Sequence, residues 1–553
     1  MTASLPAADS RDNRRIALAI FAGSLALLWP FYSSHDVYGL DVRFAYFVQE
    51  MLRTGPTLYP HNSIGPYPDY PGTSTWILAA LARLSGGYSA ALAFLPSAIC
   101  AAATVAVTWR IGALHSRAYG SAAALLLLAT LEFLMNARAI SLDSYIMFFA
   151  SLGFYLAAAA TQRQVAPPLA WLLLLVGMAS MVRGPIGGVL VTGVASSALL
   201  ANRQWRDFLI FGTGAAVVIA ALFLAWLGIA YLEGGSEFVD LTLSFQVGNR
   251  FGDPDSALDF YFFSALGSYA LSYPLAVIAL GAIVATSLAH RRAPPTALLG
   301  TIAWLLIVIL GMSIPGTKKG RYILAAAPAM ALLAGVIFTG FGQYRFPRLR
   351  RAVQLALVAL PWVILPMLLA LLLSLDRGEL VRTLALQSNV LAAIALAALW
   401  GILALLALRR WSGQRQSLAI LAIAAATILC VKYVVEEPGQ ARHYSSRAFI
   451  DQVERFRHEQ GPFALGFFAV GPDYDDLNYL VALNSPEHPR YFASLSQLAA
   501  ASAPPPGILI MPASRAAEFQ QQYRGQWREI ARGRLGHKHC VAVQLQEDRP
   551  AQP

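Results

Sequence analysis

Two aspartates and a set of basic residues stand beside strongly apolar segments of this chain. Asp41 lies in GLDVRFAYFVQEML and Asp143 in NARAISLDSYIMFF, and each stretch borders a long hydrophobic run. A carboxylate placed there can act as a general base or orient an incoming hydroxyl group. Basic side chains placed there can bind a phosphate that gains charge as it leaves a sugar. The basic residues suited to that task are Arg183, Lys318, Lys319 and Arg321.

Each aspartate also has a purely structural explanation. Both are predicted near the start of a helix, where a carboxylate caps backbone N–H groups that lack a partner. The stretch from Val42 to Leu52 predicts an amphipathic helix lying on the membrane, with Asp41 near its N-cap. One acid at the end of a span means little, but two acids at one membrane face with cations nearby indicate a site.

The composition shows what kind of element must hold these residues. Of the 553 residues, 57% are hydrophobic and 13% are charged, whereas ordinary soluble domains carry about 25% charged residues. Apolar runs long enough to cross a bilayer recur along most of the chain, and such spans must be helices because backbone groups in hydrocarbon have to be paired internally. The net charge of +11 lies mostly in short loops, so it indicates membrane topology and no nucleic-acid partner.

Hydropathy predicts about thirteen spans between residues 16 and 435. With the N-terminus in the cytoplasm, every loop predicted to be cytoplasmic contains arginine, as the positive-inside rule requires. Some cations are nevertheless predicted at membrane ends on the outer side, where an anionic ligand would compensate for them. The alternative is that water solvates them as ordinary loop charges. They are Arg43, Arg138, Arg183, Lys318, Lys319 and Arg321.

The composition changes near residue 435. Residues 1–435 are predicted to form a transmembrane domain, including an outer-face loop at 33–87 with interfacial helices. Residues 436–553 are polar with short apolar runs, and predict a soluble periplasmic α/β domain. There, SRAFIDQVERFRHE has helical periodicity, whereas FALGFFAV, GILIMP and CVAVQLQ predict strands. Three acids of this domain either bind a cation or form an acidic turn: Asp473, Asp475 and Asp476.

Four stretches resemble the polyprenyl-phosphate-sugar-dependent membrane glycosyltransferases, a superfamily that includes protein O-mannosyltransferases and bacterial lipid A aminoarabinose transferases. They are DVRFAYFVQEMLRTG, YPDYPGTSTWILAALARLSG, NARAISLDSYIMFF and SIPGTKKGRYILAAAPAMALLAG, with MVRGPIGGVL as a weaker fifth match. The matches follow the family order across the membrane part. The resemblance implies a GT-C-like fold, an all-α polytopic bundle with about thirteen transmembrane helices, here followed by the soluble α/β domain.

The resemblance also implies roles for individual residues. Asp41 and Asp143 are implied to be catalytic, with Asp36 as the runner-up for the first of them. The donor phosphate is implied to contact Arg183, Lys318, Lys319 and Arg321. The substrate contacts that we predict are from Arg43, Tyr67, Asp69, Tyr70, Arg138 and Tyr322.

The chain departs from the family pattern in ways that bear on the substrate. Asp69 and Tyr70 stand where the family has a glutamate and a phosphate-binding lysine. The loop SFQVGNRFGDPDSALDFYFF lacks the family's E-H pair, so no zinc site is expected through that histidine. No cofactor is predicted firmly, and a divalent metal is left open. These differences indicate another sugar or another acceptor within the same class.

The sequence therefore predicts a glycosyltransferase that moves a sugar from polyprenyl (undecaprenyl) phosphate to lipid A, another envelope glycan or a protein. The predicted location is the periplasmic face of a bacterial inner membrane, among membrane lipids. Two alternatives are a transporter or flippase of lipid-linked sugars and a non-catalytic subunit of an envelope polysaccharide complex. The spans contain few charges at mid-membrane depth, which disfavours a transport path.

Overall fold

The computed structural model describes residues 11–29, 37, 40–62, 65–248, 257–374, 380–444, 446–469, 477, 480–481, 483, 489–500 and 507–545. Most of this part of the chain is helical, and one small sheet lies near the C-terminus. Asp36 and the acids at 473, 475 and 476 lie outside the described residues.

The helices follow one another with short connections. The first ten are α1 Arg11–Leu28, α2 Leu40–Thr54, α3 Thr73–Leu84, α4 Ala90–Ala113, α5 Arg117–Leu128, α6 Leu131–Ala137, α7 Leu142–Gln162, α8 Leu169–Arg183, α9 Pro185–Ala201 and α10 Trp205–Leu243. The next seven are α11 Phe260–Ser268, α12 Ser272–His290, α13 Thr296–Ser313, α14 Ala327–Thr339, α15 Pro347–Ser374, α16 Leu380–Arg410 and α17 Gly413–Cys430. A 3₁₀-helix at Gly320–Ala326 precedes α14, and π-helices occupy Ser244–Gly248 and Val431–Glu436.

Among the described residues, nine helices are long and apolar enough to cross a membrane. A tenth span arises if α5 and α6, which meet at a 71° bend, are counted together. Helices α8 and α9 are apolar but shorter. The predicted polytopic helical bundle is therefore confirmed, whereas the predicted number of about thirteen spans is not.

Burial separates the central helices from those at the periphery. The apolar window within Gly320–Thr339 is 89% buried, whereas the window within Trp205–Gln246 is 11% buried. A helix that is apolar all round and exposed in this way must face lipid. Helix α14 is thus central in the bundle, and α10 presents its surface to the hydrocarbon.

The described residues fall into two compact units. The first takes its residues from Met1–Pro30, Tyr67–Ser74 and Phe94–Glu436, and it holds the spans. The second takes its residues from Phe31–Pro66, Thr75–Ala93 and Glu437–Pro553. It therefore joins most of the first polar loop to the C-terminal domain.

The C-terminal domain contains a five-stranded sheet. Its strands are β1 Leu465–Phe468, β2 Arg490–Phe492, β3 Ile508–Pro512, β4 Trp527–Leu535 and β5 Lys538–Leu545. The order is β2-β1-β3-β5-β4, with β1 parallel to β2 and β3, and β5 antiparallel to β3 and β4. The accompanying helices are α18 Glu437–His443, α19 Arg447–Gln460, α20 Leu495–Ala499 and α21 Ala513–Gln522.

The interior of this domain explains why the strands form where they do. Phe468, Leu509 and Val541 come from the three central strands and are buried in one apolar cluster with Phe519 of α21. The three predicted strands and the predicted helix at SRAFIDQVERFRHE are all present. The small α/β domain predicted from the sequence is confirmed, and β2 and β4 are additions to it.

In the first unit, α4 and α5 approach each other closely at two glycines. A Cβ atom on Gly120 would lie 2.4 Å from the backbone oxygen of Trp109, and one on Gly112 would lie 2.5 Å from the Cα of Gly120. Small residues let membrane helices pack at such short range.

We expect Gly120→Ala to destabilise the fold, because backbone atoms cannot move aside as a flexible side chain would. Overpacking of this kind costs about 1–3 kcal/mol, which would lower the Tm of the detergent-purified protein. Gly281→Ala in α12 is the matched control, since no atom lies within 4 Å of its added Cβ. Equal Tm values for both variants would contradict the close contact.

Candidate functional site

Asp143 is the centre of a buried cluster of charges in the first unit. It lies in the first turn of α7 and is 6% exposed. Its Oδ1 contacts Nη1 of Arg183, and its Oδ2 lies 3.5 Å from Nε of Arg321. A carboxylate buried at this depth requires opposite charges beside it, and the two arginines provide them.

Arg183 reaches Asp143 because the chain changes direction directly after it. Arg183 is the last residue of α8, and α9 begins at Pro185. Gly184 between them has φ 70° and ψ −164°, a conformation that is essentially restricted to glycine. Proline is favoured at the first position of a helix, and a cation is favoured at a helix C-terminus. The segment MVRGPIG thus places one guanidinium group at a break between two apolar helices.

Arg321 comes from a second break, between α13 and α14. It lies in the 3₁₀-helix Gly320–Ala326. The ring of Tyr322 faces the guanidinium groups of both arginines, with its centroid 5.0 Å from Arg183 Cζ and 5.7 Å from Arg321 Cζ. A cation over an aromatic face is stabilised electrostatically, so Tyr322 helps to hold both arginines beside Asp143.

Two lysines precede Arg321 in the same loop. Lys318 is buried, and its Nζ donates to the Gly316 backbone oxygen at 3.4 Å. Lys319 is exposed. The hydroxyl of Tyr261 donates to the Lys319 backbone oxygen at 3.2 Å, and that of Tyr269 donates to Gly320 at 2.9 Å. Burial raises the pKa of both phenols, so they remain donors and fix the loop.

A second acid lies beside Arg321. Glu132 interacts electrostatically with Arg321, and its Oε2 lies 3.3 Å from the position that a Cβ on Gly320 would take. With Asp143 it makes two acids. The four cations are Arg183, Lys318, Lys319 and Arg321. Arg183 and Arg321 balance the two acids, and Lys318 and Lys319 lie on the same loop as Arg321. Guanidinium and ammonium groups donate several hydrogen bonds each, so these cations are suited to binding an anion such as a phosphate.

An aromatic cluster lies in the same unit. Tyr67 and Tyr70 are stacked with their ring centroids 6.5 Å apart, and Phe245 contacts the Tyr67 ring edge-on at 6.3 Å. The Nε2 of Gln246 donates to the backbone oxygen of Asp69. The predicted residues Tyr67, Asp69 and Tyr70 therefore lie close together. Two residues of the π-helix Ser244–Gly248, Phe245 and Gln246, contact them.

Gln246 also lies between the aromatic cluster and the charge cluster. It is 7% exposed, and its Oε1 would lie 3.4 Å from a Cβ on Gly184. Gly184 is the residue after Arg183. π-helical turns are frequent at functional sites, and this one fixes the Asp69 segment beside the break that orients Arg183.

Arg138, which is predicted to contact the substrate, makes contacts within the protein itself. It is buried, its Nη1 donates to the Leu28 backbone oxygen at 2.8 Å, and its guanidinium lies 4.4 Å from the ring centroid of Tyr433. These contacts anchor the loop between α6 and α7. A contact between Arg138 and a substrate stays a prediction.

Asp41 belongs to the second unit. It lies in the first turn of α2 and is half-buried. Arg43 lies over the ring of Phe44 at 5.4 Å. The hydroxyl of Tyr88 is buried, and has no hydrogen-bond partner among the described residues. Burial, and then the charge of Asp41, raise the pKa of this phenol above its usual range.

Three residues of these clusters were not predicted as site residues from the sequence: Glu132, Gln246 and Tyr88. Each is a polar residue at a helix end or in a loop, without a motif that marks it. For Tyr88, the neighbouring Gly86 and Gly87 signalled a turn before α4 but not its closeness to Asp41. Within the described residues, no group of three or more histidine, cysteine, aspartate or glutamate side chains is arranged to hold a metal ion.

Residues 69–227 match a family model described as dolichyl-phosphate-mannose-protein mannosyltransferase. The matched segment contains Asp69, Tyr70, Arg138, Asp143 and Arg183. A comparison with curated protein sequences found no significant match.

Similarity of structure extends much further than the family match. The crystal structure of ArnT from Cupriavidus metallidurans bound to undecaprenyl phosphate is similar over 96% of this chain and 98% of that one, with 17% identity and a TM-score of 0.72. The apo state of the same protein gives a TM-score of 0.69 at 16% identity, with equal coverage. This chain has an ArnT-like fold. The resemblance predicted from the sequence motifs is confirmed, and at this identity the structural similarity establishes the fold and not the activity.

We expect Gly184→Ala to destabilise the protein, because a residue with a Cβ is strained at this φ and ψ. Strain of this type costs about 1–3 kcal/mol, measurable as a lower Tm in detergent. Gly177→Ala in α8, the helix that ends just before Gly184, is the control, since its Cβ would make only ordinary contacts, at 3.7 Å from Val218 and 3.8 Å from Leu222. A Gly184→Ala variant as stable as Gly177→Ala would refute the role assigned to Gly184.

Proposed function

We propose that this chain is an integral-membrane glycosyltransferase that takes a sugar from a polyprenyl phosphate, such as undecaprenyl phosphate. The observation that carries the proposal is the pair of arginines, Arg183 and Arg321, held at buried Asp143 within an apolar helical bundle. A lipid-linked phosphate needs both features, because its tail requires apolar surroundings and its headgroup requires cations. The ArnT-like fold supports the proposal, since that ArnT structure contains undecaprenyl phosphate.

In the proposed reaction, an acceptor oxygen attacks the anomeric carbon of the donor sugar. The bond between that carbon and the phosphate oxygen breaks, and the polyprenyl phosphate leaves with the electron pair. Attack from the opposite face inverts the configuration of the sugar. The charge that develops on the phosphate is stabilised by Arg183 and Arg321, and by the lysines beside them. Because these groups are held in place beforehand, they need little rearrangement during the reaction.

Asp41 has the role of general base in this proposal. When the acceptor is a hydroxyl group, its proton passes to the Asp41 carboxylate as the new bond forms. When the acceptor is an ionised phosphate, no proton moves and Asp41 orients the acceptor. Asp143 has a different role, since it holds Arg183 and Arg321 beside the leaving phosphate.

The aromatic cluster is the proposed contact for the donor sugar. The rings of Tyr67 and Tyr70 provide a flat apolar surface on which the C–H face of a sugar can lie. Asp69, between them in sequence, can accept hydrogen bonds from sugar hydroxyls. Arg43 and Arg138 complete the set of proposed substrate contacts.

The acceptor is proposed only by class. Lipid A, another envelope glycan and a protein all offer a hydroxyl or phosphate oxygen at the outer leaflet. Aminoarabinose transfer to lipid A is one reaction of this type. Tyr70 stands where the resemblance implies a phosphate-binding lysine, and this favours a different sugar or acceptor within the class.

We further propose that the N-terminus is cytoplasmic and that residues 436–553 are periplasmic, in a bacterial inner membrane. Four connections on the proposed cytoplasmic side contain arginine, as the positive-inside rule requires. They link α7 to α8, α9 to α10, α12 to α13 and α14 to α15, and contain Arg163, Arg203, Arg291 and Arg345 respectively.

We expect Asp41→Asn and Asp143→Asn each to abolish transfer. Loss of a general base typically costs about 10²–10⁴ in rate, and loss of Asp143 leaves buried Arg183 and partly buried Arg321 without their carboxylate. A strain deleted for the gene should accumulate the lipid-linked donor, measured by mass spectrometry of lipid extracts. The wild-type gene should remove the accumulation, and neither variant should.

The control for these variants is Asp451→Asn, on the exposed face of α19, which should behave as wild type. Normal donor levels with Asp41→Asn would overturn its assignment. A transporter is distinguished by a second measurement on the purified protein in detergent, without a gradient. The enzyme should release polyprenyl phosphate from the donor when an envelope lipid extract is supplied, whereas a transporter should not.

We expect Tyr88→Phe to lower the transfer rate while leaving the Tm unchanged. The phenol is buried near Asp41 and stays protonated, so it can donate to the carboxylate or to the acceptor. A hydrogen bond to a charged group is worth about 1.5–3 kcal/mol, or roughly 10–100-fold in rate. Because the pKa of Tyr88 is raised, wild type and variant should show the same alkaline limb in a pH–rate profile. Tyr231→Phe, exposed on α10, is the control, and an unchanged rate with Tyr88→Phe would exclude the role.

A further inference from the structure

A pocket lies at the opposite end of α7 from the charge cluster. Asp143 is the second residue of this 21-residue helix and Gln162 is the last. At about 1.5 Å per residue, a helix of this length spans roughly 30 Å, close to the thickness of a bilayer's hydrocarbon core. The pocket beside Gln162 has a volume of about 340 Å³, and is therefore separate from the proposed active site. We call it the far-end pocket.

The walls of the far-end pocket are apolar and well fixed. Phe154 and Leu332 line it and are buried. The ring of His115 stacks on Phe341 with centroids 3.8 Å apart and an interplanar angle of 14°. Tyr119 meets the Phe341 ring edge-on at 5.4 Å, and its hydroxyl donates to the Leu332 backbone oxygen at 2.8 Å. These contacts hold the cavity open as part of the fold.

The polar residues of the far-end pocket use their donors on the protein itself. Gln162 Nε2 donates to the Leu114 backbone oxygen at 2.7 Å, and Asn202 Nδ2 donates to the Ala198 backbone oxygen at 2.7 Å. The Oε1 of Gln162 is buried and accepts no hydrogen bond within the described part of the chain. Burial lowers the pKa of His115, which favours a neutral imidazole with one acceptor nitrogen. The polar side of the pocket therefore offers hydrogen-bond acceptors.

Two exposed arginines adjoin these polar residues in sequence. Arg163 directly follows Gln162, and Arg203 directly follows Asn202. A ligand that matches the whole arrangement has a hydrogen-bond-donating cationic head, an adjacent phosphate and an apolar tail. An ammonium group offers three donors and no acceptor, which complements the amide oxygens. The volume falls within the range of about 300–1,000 Å³ that is usual for ligand sites.

We propose that the far-end pocket binds an ethanolamine phospholipid of the leaflet at this end of α7, which is the cytoplasmic leaflet in the topology proposed above. Its ammonium group donates to the side-chain oxygens of Gln162 and Asn202. Its phosphate lies toward Arg163 and Arg203, and the start of an acyl chain lies against Phe154 and Leu332. This site does not depend on the proposed transfer reaction, so its test and the tests of catalysis can fail separately.

The experiment is native mass spectrometry of the purified full-length protein after exposure to equal amounts of phosphatidylethanolamine and phosphatidylglycerol. We expect wild type to retain one phosphatidylethanolamine, several-fold in excess over phosphatidylglycerol. Ala158→Phe fills the pocket and should abolish this retention. Ala221→Phe makes the same change on the exposed surface of α10 and should retain the lipid as wild type does.

A second pair of variants tests how the charge of a pocket residue changes the lipid preference, without filling the cavity. Thr296 lines the pocket and is the first residue of α13, where an acid is favoured by the helix dipole. Thr296→Asp should raise the ratio of phosphatidylethanolamine to phosphatidylglycerol, and Thr296→Lys should reverse the preference. Equal retention of both lipids by wild type, or a ratio that does not respond to residue 296, would overturn the proposal. So would retention by Ala158→Phe equal to that by Ala221→Phe.

Discussion

The pairing of one buried carboxylate with two guanidinium groups is the constraint on which this membrane unit depends. Asp143, Arg183 and Arg321 come from three separate segments, and each would cost several kcal/mol if buried alone. They are tolerable in an apolar bundle only when they meet. The helices must therefore stop where the charges converge. The break at Gly184 ends α8 directly after Arg183, so that the Arg183 side chain reaches Asp143. The 3₁₀-helix before α14 likewise places Arg321 beside Asp143.

The sequence predicted the members of this cluster because each carries a local signal. Asp143 begins an apolar run, Arg183 precedes a Gly-Pro break, and Arg321 follows a Pro-Gly turn. The residues that it did not predict make contacts across long stretches of chain. Gln246 binds the Asp69 backbone across 177 positions, and no pattern around either residue marks the contact. Tyr88 is similarly ordinary in sequence, and only its burial beside Asp41 distinguishes it.

Some bends and strands were not predicted from the sequence, because the hydropathy of a segment does not determine its backbone geometry. Helix α5 bends by 71° into α6, although the two helices together are apolar enough to form one span. In the C-terminal domain the strands that lacked an apolar run are β2 and β4, the two edges of the sheet. Edge strands carry charged residues that discourage pairing with other chains, and WREIARGRL in β4 has this character.

The position of Tyr70 shows how the proposed donor site differs from the family pattern. A lysine there would supply a mobile point charge, whereas Tyr70 is stacked on Tyr67 and contributes ring surface. A phosphate bound in this unit must then find its positive charge in Arg183 and in the segment from Lys318 to Arg321. Arginine presents a rigid fork of donors, so it orients a phosphate as well as neutralising it. Asp143 and the Tyr322 ring hold both forks, so in the proposed reaction they orient the leaving group before the donor binds. In the same proposal, the ring surface of Tyr70 contacts the sugar and does not contact the phosphate.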